Sequence, residues 1–201
     1  RQPHYFPLIL GWDASGIVEE RGHAARRFES GNEVWAYTRR PFLQNGTYAE
    51  YICLPESYWS YKPTNINFEE AATIPLTGLT AYQALFETAG LKKGQTLVMI
   101  GASGGVGSMG VQLGKAAGAR VIGVASDKSK DFVLNQLKAD DFLDYSKQDM
   151  NEALKGQADV VFDAAGGDNL QKTWKMLKQN GFIVSVAGQI KDQTELKKTG
   201  G

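Results

Sequence analysis

The sequence predicts an α/β protein in which a doubly wound parallel sheet follows a smaller antiparallel β domain. Two observations support this fold class. Up to about residue 75, short alternating stretches are separated by turn residues, and glycine, proline and aromatic residues are frequent. From about residue 95, apolar runs alternate with helical stretches, which is typical of βαβ units whose parallel strands are covered by helices on both faces.

The individual strands follow from these runs. The alternating stretches at residues 17–20, 33–37 and 48–52 predict antiparallel strands of a small barrel or part of one. The apolar runs of the second half predict buried parallel strands at residues 96–100, 120–125, 159–162 and 182–186. Between the halves, two helices are predicted at residues 68–72 and 80–88, joined around Pro75 and Gly78 as a hinge.

A glycine-rich turn lies between the strand at 96–100 and a helix predicted at 106–117. Its sequence is Gly101-Ala102-Ser103-Gly104-Gly105-Val106-Gly107. The first of three spaced glycines permits a tight turn, the second lets the backbone approach a pyrophosphate, and the third lets helix and strand pack closely. The N–H groups and partial positive charge of the helix N-terminus would face the phosphates. The turn therefore predicts a dinucleotide site.

A purely structural alternative is a tight loop beside the small-residue face made by Gly110, Gly114 and Ala117. The glycines also recur at three-residue intervals, which departs from the commonest spacing. The order of strand, turn, helix and next strand favours the dinucleotide interpretation.

The end of the second parallel strand bears on the choice of cofactor. NAD-binding units present a carboxylate to the adenosine ribose some 20 residues beyond the glycines, but Ala125 and Ser126 stand there. Asp127 follows, accompanied by Lys128 and Lys130, and a hydroxyl with ammonium groups suits a 2′-phosphate. We therefore predict NADP(H). A purely structural alternative is a solvated helix that begins here with Asp127 as its N-cap.

Composition excludes several other classes. The 22 basic residues balance the 22 acidic ones, so no charge excess indicates nucleic-acid or membrane binding. The single cysteine, Cys53, excludes an internal disulfide and a multi-cysteine zinc cluster. No apolar run approaches a membrane span, and no signal peptide is recognisable. We expect a cytoplasmic protein, or an organelle-matrix protein if a targeting segment was removed.

Four segments resemble the zinc-independent quinone oxidoreductase branch of the medium-chain dehydrogenase/reductase superfamily. Residues 11–18 (GWDASGIV) and 46–51 (GTYAEY) are similar to its barrel segments, and residues 77–82 (TGLTAY) and the glycine turn are similar to its hinge and nucleotide signatures. The resemblance implies a partial GroES-like substrate domain at 1–75, a hinge helix region at 76–94 and a C-terminally incomplete Rossmann NADP-binding domain at 95–201. It also implies truncation at both ends.

The resemblance assigns cofactor contacts to this chain. Ser126, Lys130 and Tyr145 match the 2′-phosphate contacts of NADPH-using members, although Tyr145 could equally be a partly exposed aromatic at a strand end. Gly166 and Gly188 follow strands that line the cofactor cleft, and Thr80 matches a position beside the nicotinamide. The complete set of predicted cofactor-binding residues is Thr80, Gly101, Ser103, Gly104, Gly105, Val106, Gly107, Ser126, Lys130, Tyr145, Gly166 and Gly188.

The zinc ligands of zinc-using relatives have no counterparts. Trp12 stands in the segment where those relatives present a histidine, and Leu76 lies in the stretch where they present a cysteine. Catalytic zinc needs about three ligands of histidine, cysteine or carboxylate type, so no metal site is predicted. We expect His4 and His23 to be exposed. Cys53 lies in the predicted strand at 51–54, where a buried, inert thiol is expected.

Four aromatic residues, Trp12, Phe42, Tyr48 and Tyr51, could line a quinone pocket, but packing in the barrel core or at a domain interface is the favoured interpretation.

These features predict hydride transfer from NADPH to a quinone or an α,β-unsaturated carbonyl, because no metal is predicted that could stabilise an alkoxide. An enoyl-thioester reductase of the same superfamily and a non-catalytic, crystallin-like NADPH-binding protein remain alternatives. The catalytic acid is not identified. The partner is a small-molecule substrate, and the resemblance implies that the full-length protein is a homodimer.

Overall fold

A computed structural model gives the structure of the protein and describes residues 3–191 and 193–198. Residues 1–2, 192 and 199–201, which include the outer limits of the first and last predicted domains, lie outside the described residues. The chain divides into two compact units, Arg1–Thr77 and Gly78–Gly201. Each unit contains its own β-sheet.

The sheet of the first unit is antiparallel and has three strands in the order β1-β2-β3. The strands are β1 at Asp13–Ile17, β2 at Glu33–Tyr37 and β3 at Trp59–Tyr61. The strand predicted at 33–37 is confirmed. The strand predicted at 17–20 is wrong in its limits, because β1 ends at Ile17. Beyond it, Val18 N donates to the Asn32 oxygen at 2.9 Å and the Val18 oxygen accepts from Gly31 N at 2.8 Å. The sequence does not predict β3.

The strand predicted at residues 48–52 is wrong. Its backbone bonds go to an irregular segment, with Tyr48 N donating to the Leu10 oxygen at 2.9 Å, and among the described residues no strand pairs with it. Alternation of apolar and polar residues forms a strand only where a neighbouring strand accepts its hydrogen bonds. Tyr48 and Tyr51 are consequently exposed, at 81% and 76%, and so is Cys53, which corrects the expectation of a buried thiol.

Two helices follow in the first part of the chain, α1 at Phe68–Ala72 and α2 at Pro75–Tyr82. The helix predicted at 68–72 is confirmed, and a capping box between Asn67 and Glu70 explains where it begins. The predicted junction around Pro75 and Gly78 is wrong, because proline suits the first turn of a helix and α2 begins at Pro75. A π-helical segment, Gln83–Thr88, continues from α2.

The sheet of the second unit is parallel throughout and has five strands in the order β6-β5-β4-β7-β8. These strands are β4 at Thr96–Ile100, β5 at Arg120–Ala125, β6 at Asp141–Asp144, β7 at Ala158–Asp163 and β8 at Leu177–Ser185. The predicted strands at 96–100, 120–125 and 159–162 are confirmed. The strand predicted at 182–186 is the second half of a longer strand that ends at Ser185, one residue earlier than predicted. The sequence does not predict β6.

The connections of this sheet contain several helical segments. The principal one is α3 at Gly105–Ala116, which confirms the helix predicted at 106–117. The shorter ones are 3₁₀ helices at Asp127–Ser129 and Asp168–Met176, a π-helical segment at Phe132–Gln136, and α4 at Met150–Ala153 and α5 at Thr194–Lys198. A 3₁₀ helix at Glu56–Tyr58 lies in the first unit.

Two apolar layers cover the faces of the parallel sheet. One contains Leu97 and Met99 of β4 with Val111 of α3 and Phe162 of β7. The other contains alternate residues of the same strands, such as Val98. Because successive side chains of a strand point to opposite faces, both layers require a continuous apolar run. Burial on both faces fixes the sheet and thereby the ends of its strands.

Candidate dinucleotide-binding site

The turn after β4 is tightly folded. Gly101 has a φ of +79°, a backbone conformation that residues other than glycine rarely adopt. The N–H groups of Gly101 and Ala102 both donate to the Val124 oxygen, at 3.0 and 3.1 Å, and Gly104 N donates to the Gly101 oxygen at 3.0 Å. These bonds fold the chain back over the end of β5 before α3 begins.

The three spaced glycines have different surroundings. A Cβ on Gly107 would stand 1.9 Å from the Gly101 oxygen, so residue 107 must be glycine for α3 to start against the turn. A Cβ on Gly104 would lie 3.4 Å from that oxygen, which is an ordinary contact. Gly104 is exposed, so a larger residue here would occupy the space through which a ligand reaches the backbone. The first and third glycines are therefore required by the shape of the turn. The second, Gly104, leaves the backbone uncovered by a side chain, so that a ligand can approach it.

The N-terminus of α3 opens at this turn. Gly104 is the N-cap residue and provides no side-chain oxygen, and the first turn of α3 contains no acidic residue. The N–H groups of Gly105, Val106 and Gly107 occupy the first helical positions, which have no partner within a helix. Ser103, Gly104 and Gly105 are exposed. Exposed N–H groups with the positive end of a helix dipole fit a pyrophosphate.

The small-residue face of α3 has a structural role as well. A Cβ on Gly110 would stand 2.6 Å from the Met99 sulfur, and one on Gly114 would stand 2.8 Å from a Leu97 methyl group. These glycines bring α3 close to β4. The structural interpretation of this stretch and the dinucleotide interpretation are thus compatible.

The loops after β7 and β8 meet at a buried carboxylate, Asp163, which is 1% exposed. It accepts hydrogen bonds from Ala165 N at 3.1 Å, from Gly166 N at 3.0 Å and from the Ser185 hydroxyl at 2.9 Å. Ser185 Oγ in turn accepts from Ala187 N at 3.3 Å. Asp163 is not predicted from the sequence, because its only signal there is a carboxylate at the end of an apolar run.

Gly166 and Gly188 lie in these two loops, as predicted. Gly166 has a φ of +70°, and a Cβ there would stand 2.8 Å from the Ala187 oxygen of the β8 loop. Gly101 faces the β7 loop in the same way, since its Cβ would contact that of Ala165 at 3.4 Å. The glycine turn and the β7 loop therefore adjoin where the strand order changes direction, which is where open α/β sheets bind their ligands.

The predicted 2′-phosphate residues lie at the carboxyl ends of β5 and β6. Ala125 pairs with Asp144, and Tyr145 N donates to the Ala125 oxygen at 3.4 Å, so Ser126 and Tyr145 leave adjacent strands side by side. Tyr145 is 55% exposed, which agrees both with a phosphate contact and with a partly exposed aromatic residue at a strand end. Lys130 is exposed and ends the 3₁₀ helix that follows Ser126.

Asp127 does not cap a helix. The N-cap of the 3₁₀ helix is Ser126, whose side chain makes no capping bond, so the capping interpretation of Asp127 is wrong. Its carboxylate pairs instead with Lys147, at 2.9 Å. Lys147 is not predicted from the sequence, because its ion pair depends on the pairing of β5 with β6.

Thr80 is half-buried in α2. The next residue, Ala81, belongs to the same apolar layer as Ala102 and Phe162, so this part of α2 packs on the face of the sheet that carries the glycine turn.

The first unit contains a cavity of about 810 Å³ lined by β1 residues and by Tyr51, Cys53 and Trp59, and a second of about 700 Å³ lined by Phe42 and Pro41 among others. Neither is lined by a residue of the glycine turn. Phe42 is 47% exposed, and Tyr48 and Tyr51 are more exposed still. None of these three aromatic residues therefore packs in a barrel core.

The positions compared with zinc ligands have other contacts. The guanidinium of Arg39 lies 5.1 Å from the ring centre of Trp12. Leu76 N donates to the Asp13 carboxylate at 2.7 Å, and burial raises the pKa of Asp13 although this hydrogen bond lowers it. His4 and His23 are exposed, as expected.

Within residues 3–191 and 193–198, no three side chains of histidine, cysteine, aspartate or glutamate are arranged to hold a metal ion. Among these described residues, no helix is long and apolar enough to cross a membrane.

Two family models match the chain. Residues 2–64 match the alcohol dehydrogenase GroES-like domain, and residues 105–199 match the zinc-binding dehydrogenase domain. The first confirms the predicted GroES-like character of the N-terminal unit.

Known proteins are similar over most of the chain. NAD(P)H oxidoreductase RTN4IP1, mitochondrial, from Mus musculus is 37% identical over 177 residues, covering 85% of this chain and 43% of the relative. NADPH-dependent alkenal/one oxidoreductase, chloroplastic, from Arabidopsis thaliana is 33% identical over 189 residues, covering 92% of this chain and 48% of the relative. The chain thus spans about half the length of these curated relatives.

The quinone oxidoreductase of Coxiella burnetii has a similar solved structure, with a TM-score of 0.85, 33% identity and coverage of 97% of this chain and 60% of that one. The family resemblance and the fold class predicted from the sequence are both confirmed. The two domain models and these similarities show that the chain belongs to the medium-chain dehydrogenase/reductase superfamily.

Proposed function

We propose that the chain binds NADPH and is part of a zinc-independent oxidoreductase that reduces a quinone or an α,β-unsaturated carbonyl. The observation that carries this proposal is the pairing of two features at one edge of the parallel sheet. The exposed glycine turn opens onto the N-terminus of α3, and Ser126, Lys130 and Tyr145 follow the next strands.

The residues present fit such a cofactor. The turn around Gly104 offers backbone N–H groups and leaves room for a pyrophosphate to approach. The Ser126 hydroxyl makes no capping bond, so it can donate to a 2′-phosphate, and the charge of Lys130 suits the same group. Thr80, Gly166 and Gly188 are proposed to face the nicotinamide half.

When NADPH is bound, its nicotinamide supplies the hydride that reduces a quinone or the β-carbon of an enone. The chain's own contribution is to bind and align, since the Asp163 network fixes the two loops beside the glycine turn. Trp12 and Leu76 are not metal ligands, so the proposal includes no metal step. The proton that completes the reduction would come from water or a tyrosine.

The names of the similar proteins support this proposal, since one is an NADPH-dependent alkenal/one oxidoreductase and another a quinone oxidoreductase. We propose further that the protein acts inside the cell, in the cytoplasm or an organelle matrix, and that the whole protein is a homodimer with a small-molecule substrate. The single cysteine supports a reducing compartment.

The test is a steady-state comparison of NADPH and NADH oxidation, with a quinone and an enone as acceptors. Charge-assisted contacts to a 2′-phosphate contribute about 1.5–3 kcal/mol, so we expect NADPH to be preferred by roughly ten- to a hundredfold. A preference for NADH, or turnover of ethanol-type alcohols with NAD⁺, would contradict the proposal. Tight NADPH binding without oxidation by any acceptor would support the non-catalytic alternative instead.

A further inference from the structure

An ion pair between Lys147 and Asp127 lies at the carboxyl ends of β5 and β6. The Lys147 ammonium is 2.9 Å from one carboxylate oxygen of Asp127 and 3.6 Å from the Asp144 carboxylate. The Asp127 carboxylate, with its hydrogen bond and charge, raises the pKa of Lys147. Hydrogen bonds from Ser146, helped by the charge of Lys147, lower the pKa of Asp144. One ammonium therefore serves two carboxylates.

The topology of the sheet brings these residues together. Because β5 and β6 are parallel and Ala125 pairs with Asp144, the two chains leave the sheet at the same level. Asp127 is then the second residue beyond β5, and Lys147 is the third beyond β6. Asp144 itself is 6% exposed and accepts hydrogen bonds from Ser146 N at 2.9 Å and from the Ser146 hydroxyl at 2.7 Å, which anchors the loop that carries Lys147.

The Asp127 carboxylate would oppose a preference for NADPH if its charge were not compensated. Asp127 lies two residues beyond β5, directly after the strand end at which NAD-binding units present a carboxylate to the ribose 2′-hydroxyl. A carboxylate left without a counter-charge would accept a hydrogen bond from the hydroxyl of NADH and repel the 2′-phosphate of NADPH. In this structure its carboxylate is engaged by Lys147 and neutralised.

We propose that Lys147 is a specificity-determining residue that favours NADPH by engaging and neutralising Asp127. The inference rests on the proposed function, because it assumes that a nicotinamide dinucleotide binds at the glycine turn. Lys147 acts here through Asp127 and not by contact with the phosphate. This role differs from that of Ser126, Lys130 and Tyr145, which are proposed to contact the phosphate themselves.

The experiment is a double-mutant cycle on dinucleotide binding. Dissociation constants for NADPH and NADH are measured by calorimetry for the unmodified chain, Lys147→Met, Asp127→Asn and the double variant. Lys155→Met is the matched control, because it removes one exposed positive charge just before β7, at the amino-terminal ends of the strands and not at their carboxyl ends. Circular dichroism establishes that all variants fold.

Lys147→Met should weaken NADPH binding by about three- to tenfold and strengthen NADH binding by about two- to threefold, as expected for one uncompensated charge partly screened by solvent. In the Asp127→Asn background, the same substitution should change either affinity by less than about twofold. Lys147→Arg should keep the preference for NADPH, since it keeps the charge. Lys155→Met should change neither affinity.

A loss of NADPH affinity that persists in the Asp127→Asn background would overturn the inference, because Lys147 would then contact the phosphate directly. An NADPH preference that Lys147→Met leaves intact would overturn it as well, while the proposed function would stand. If the unmodified chain bound neither dinucleotide, the proposed function would fail and the inference with it.

Discussion

Gly107 lies directly against Gly101, so closely that a Cβ on residue 107 would stand 1.9 Å from the Gly101 carbonyl oxygen. Gly107→Ala should therefore force α3 away from the turn, since the Gly101 oxygen and the Cα that would carry the new methyl group both belong to backbone that neighbouring elements hold in place. We expect a loss of about 1–3 kcal/mol in the free energy of unfolding, measured by urea denaturation followed by circular dichroism.

Gly104→Ala is the matched variant, because its Cβ would lie 3.4 Å from the same oxygen and its φ is −78°. This variant should unfold at nearly the same urea concentration as the unmodified chain, while NADPH binding weakens because the new methyl group occupies the approach to the backbone. Equal stability of both variants would show that the contact between Gly101 and Gly107 does not constrain α3.

The sequence could predict the parallel sheet because burial on both faces leaves a local trace. Thr96–Ile100 and Arg120–Ala125 are nearly uninterrupted apolar runs, and their predicted limits are the observed ones. Residues 48–52 alternate as a strand would, yet the structure gives them no partner strand among the described residues. Periodicity reports what a segment can form, whereas pairing depends on a neighbour distant in the sequence.

The candidate site divides in the same way. The glycine turn could be found from its spacing, because steric and helix-terminal requirements act within a few residues. Asp163 and Lys147 could not, since the partners of Asp163 include Ser185, 22 residues away, and the partner of Lys147 is Asp127, which follows a different strand. Polar groups that act across strands become recognisable only when the strand order is known.

Lys62 is a buried cation that fastens a loop of the first unit. Its side chain is 4% exposed, and its ammonium lies 3.1 Å from Glu33 and donates to the Pro63 and Ile66 oxygens at 2.9 and 2.6 Å. Lys62→Met keeps much of the volume but leaves two carbonyl groups without their donor. We expect a loss of about 1–3 kcal/mol in unfolding free energy.

Tryptophan fluorescence can follow this loss in a urea titration, because three of the four tryptophans, Trp12, Trp35 and Trp59, belong to the first unit. Glu33→Gln is the comparison. Glu33 is 49% exposed, and removing its charge should cost about 0.5 kcal/mol or less. A larger loss from Glu33→Gln than from Lys62→Met would mean that the ion pair, and not the carbonyl contacts, stabilises the loop.

Asp159 should make stability fall in acid. Burial disfavours its charge, but a hydrogen bond from Lys178 at 2.7 Å, another from Thr96 N at 2.7 Å and the charge of Lys178 together lower its pKa. A lowered pKa stabilises the folded state above the unfolded value of about 3.9, and this contribution is lost as the pH falls through the folded pKa. Stability due to Asp159 should thus be constant from pH 7 to 5 and decline below about pH 4.

The measurement is the unfolding free energy against pH for the unmodified chain and for Asp159→Asn. The variant should be less stable by about 1 kcal/mol at pH 7, once solvent screening is considered, and the difference should shrink below about pH 4. Glu87→Gln, an exposed position in the Gln83–Thr88 segment, is the control and should run parallel to the unmodified chain. A difference between Asp159→Asn and the unmodified chain that grows in acid would contradict the assignment.

Asp163 should govern both the stability of the second unit and the shape of the loops after β7 and β8. Asp163→Ala leaves the N–H groups of Ala165 and Gly166 and the Ser185 hydroxyl without their acceptor in a buried setting, so we expect a loss of about 2–4 kcal/mol. Ser185→Ala removes the hydroxyl that donates to Asp163 and accepts from Ala187 N, and it should cost about 1 kcal/mol. Urea denaturation measures both losses, and calorimetry with NADPH measures the accompanying change in affinity.

The two variants separate a structural role from a positioning role. If Asp163 positions the cofactor loops, Ser185→Ala should weaken NADPH binding by more than its small loss of stability explains, because the loop after β8 loses its side-chain hydrogen bond to Asp163. An unchanged dissociation constant for Ser185→Ala, in a chain that remains folded, would confine the Asp163 network to stability. An Asp163→Ala variant as stable as the unmodified chain would show that water replaces the carboxylate and that the network fixes neither loop.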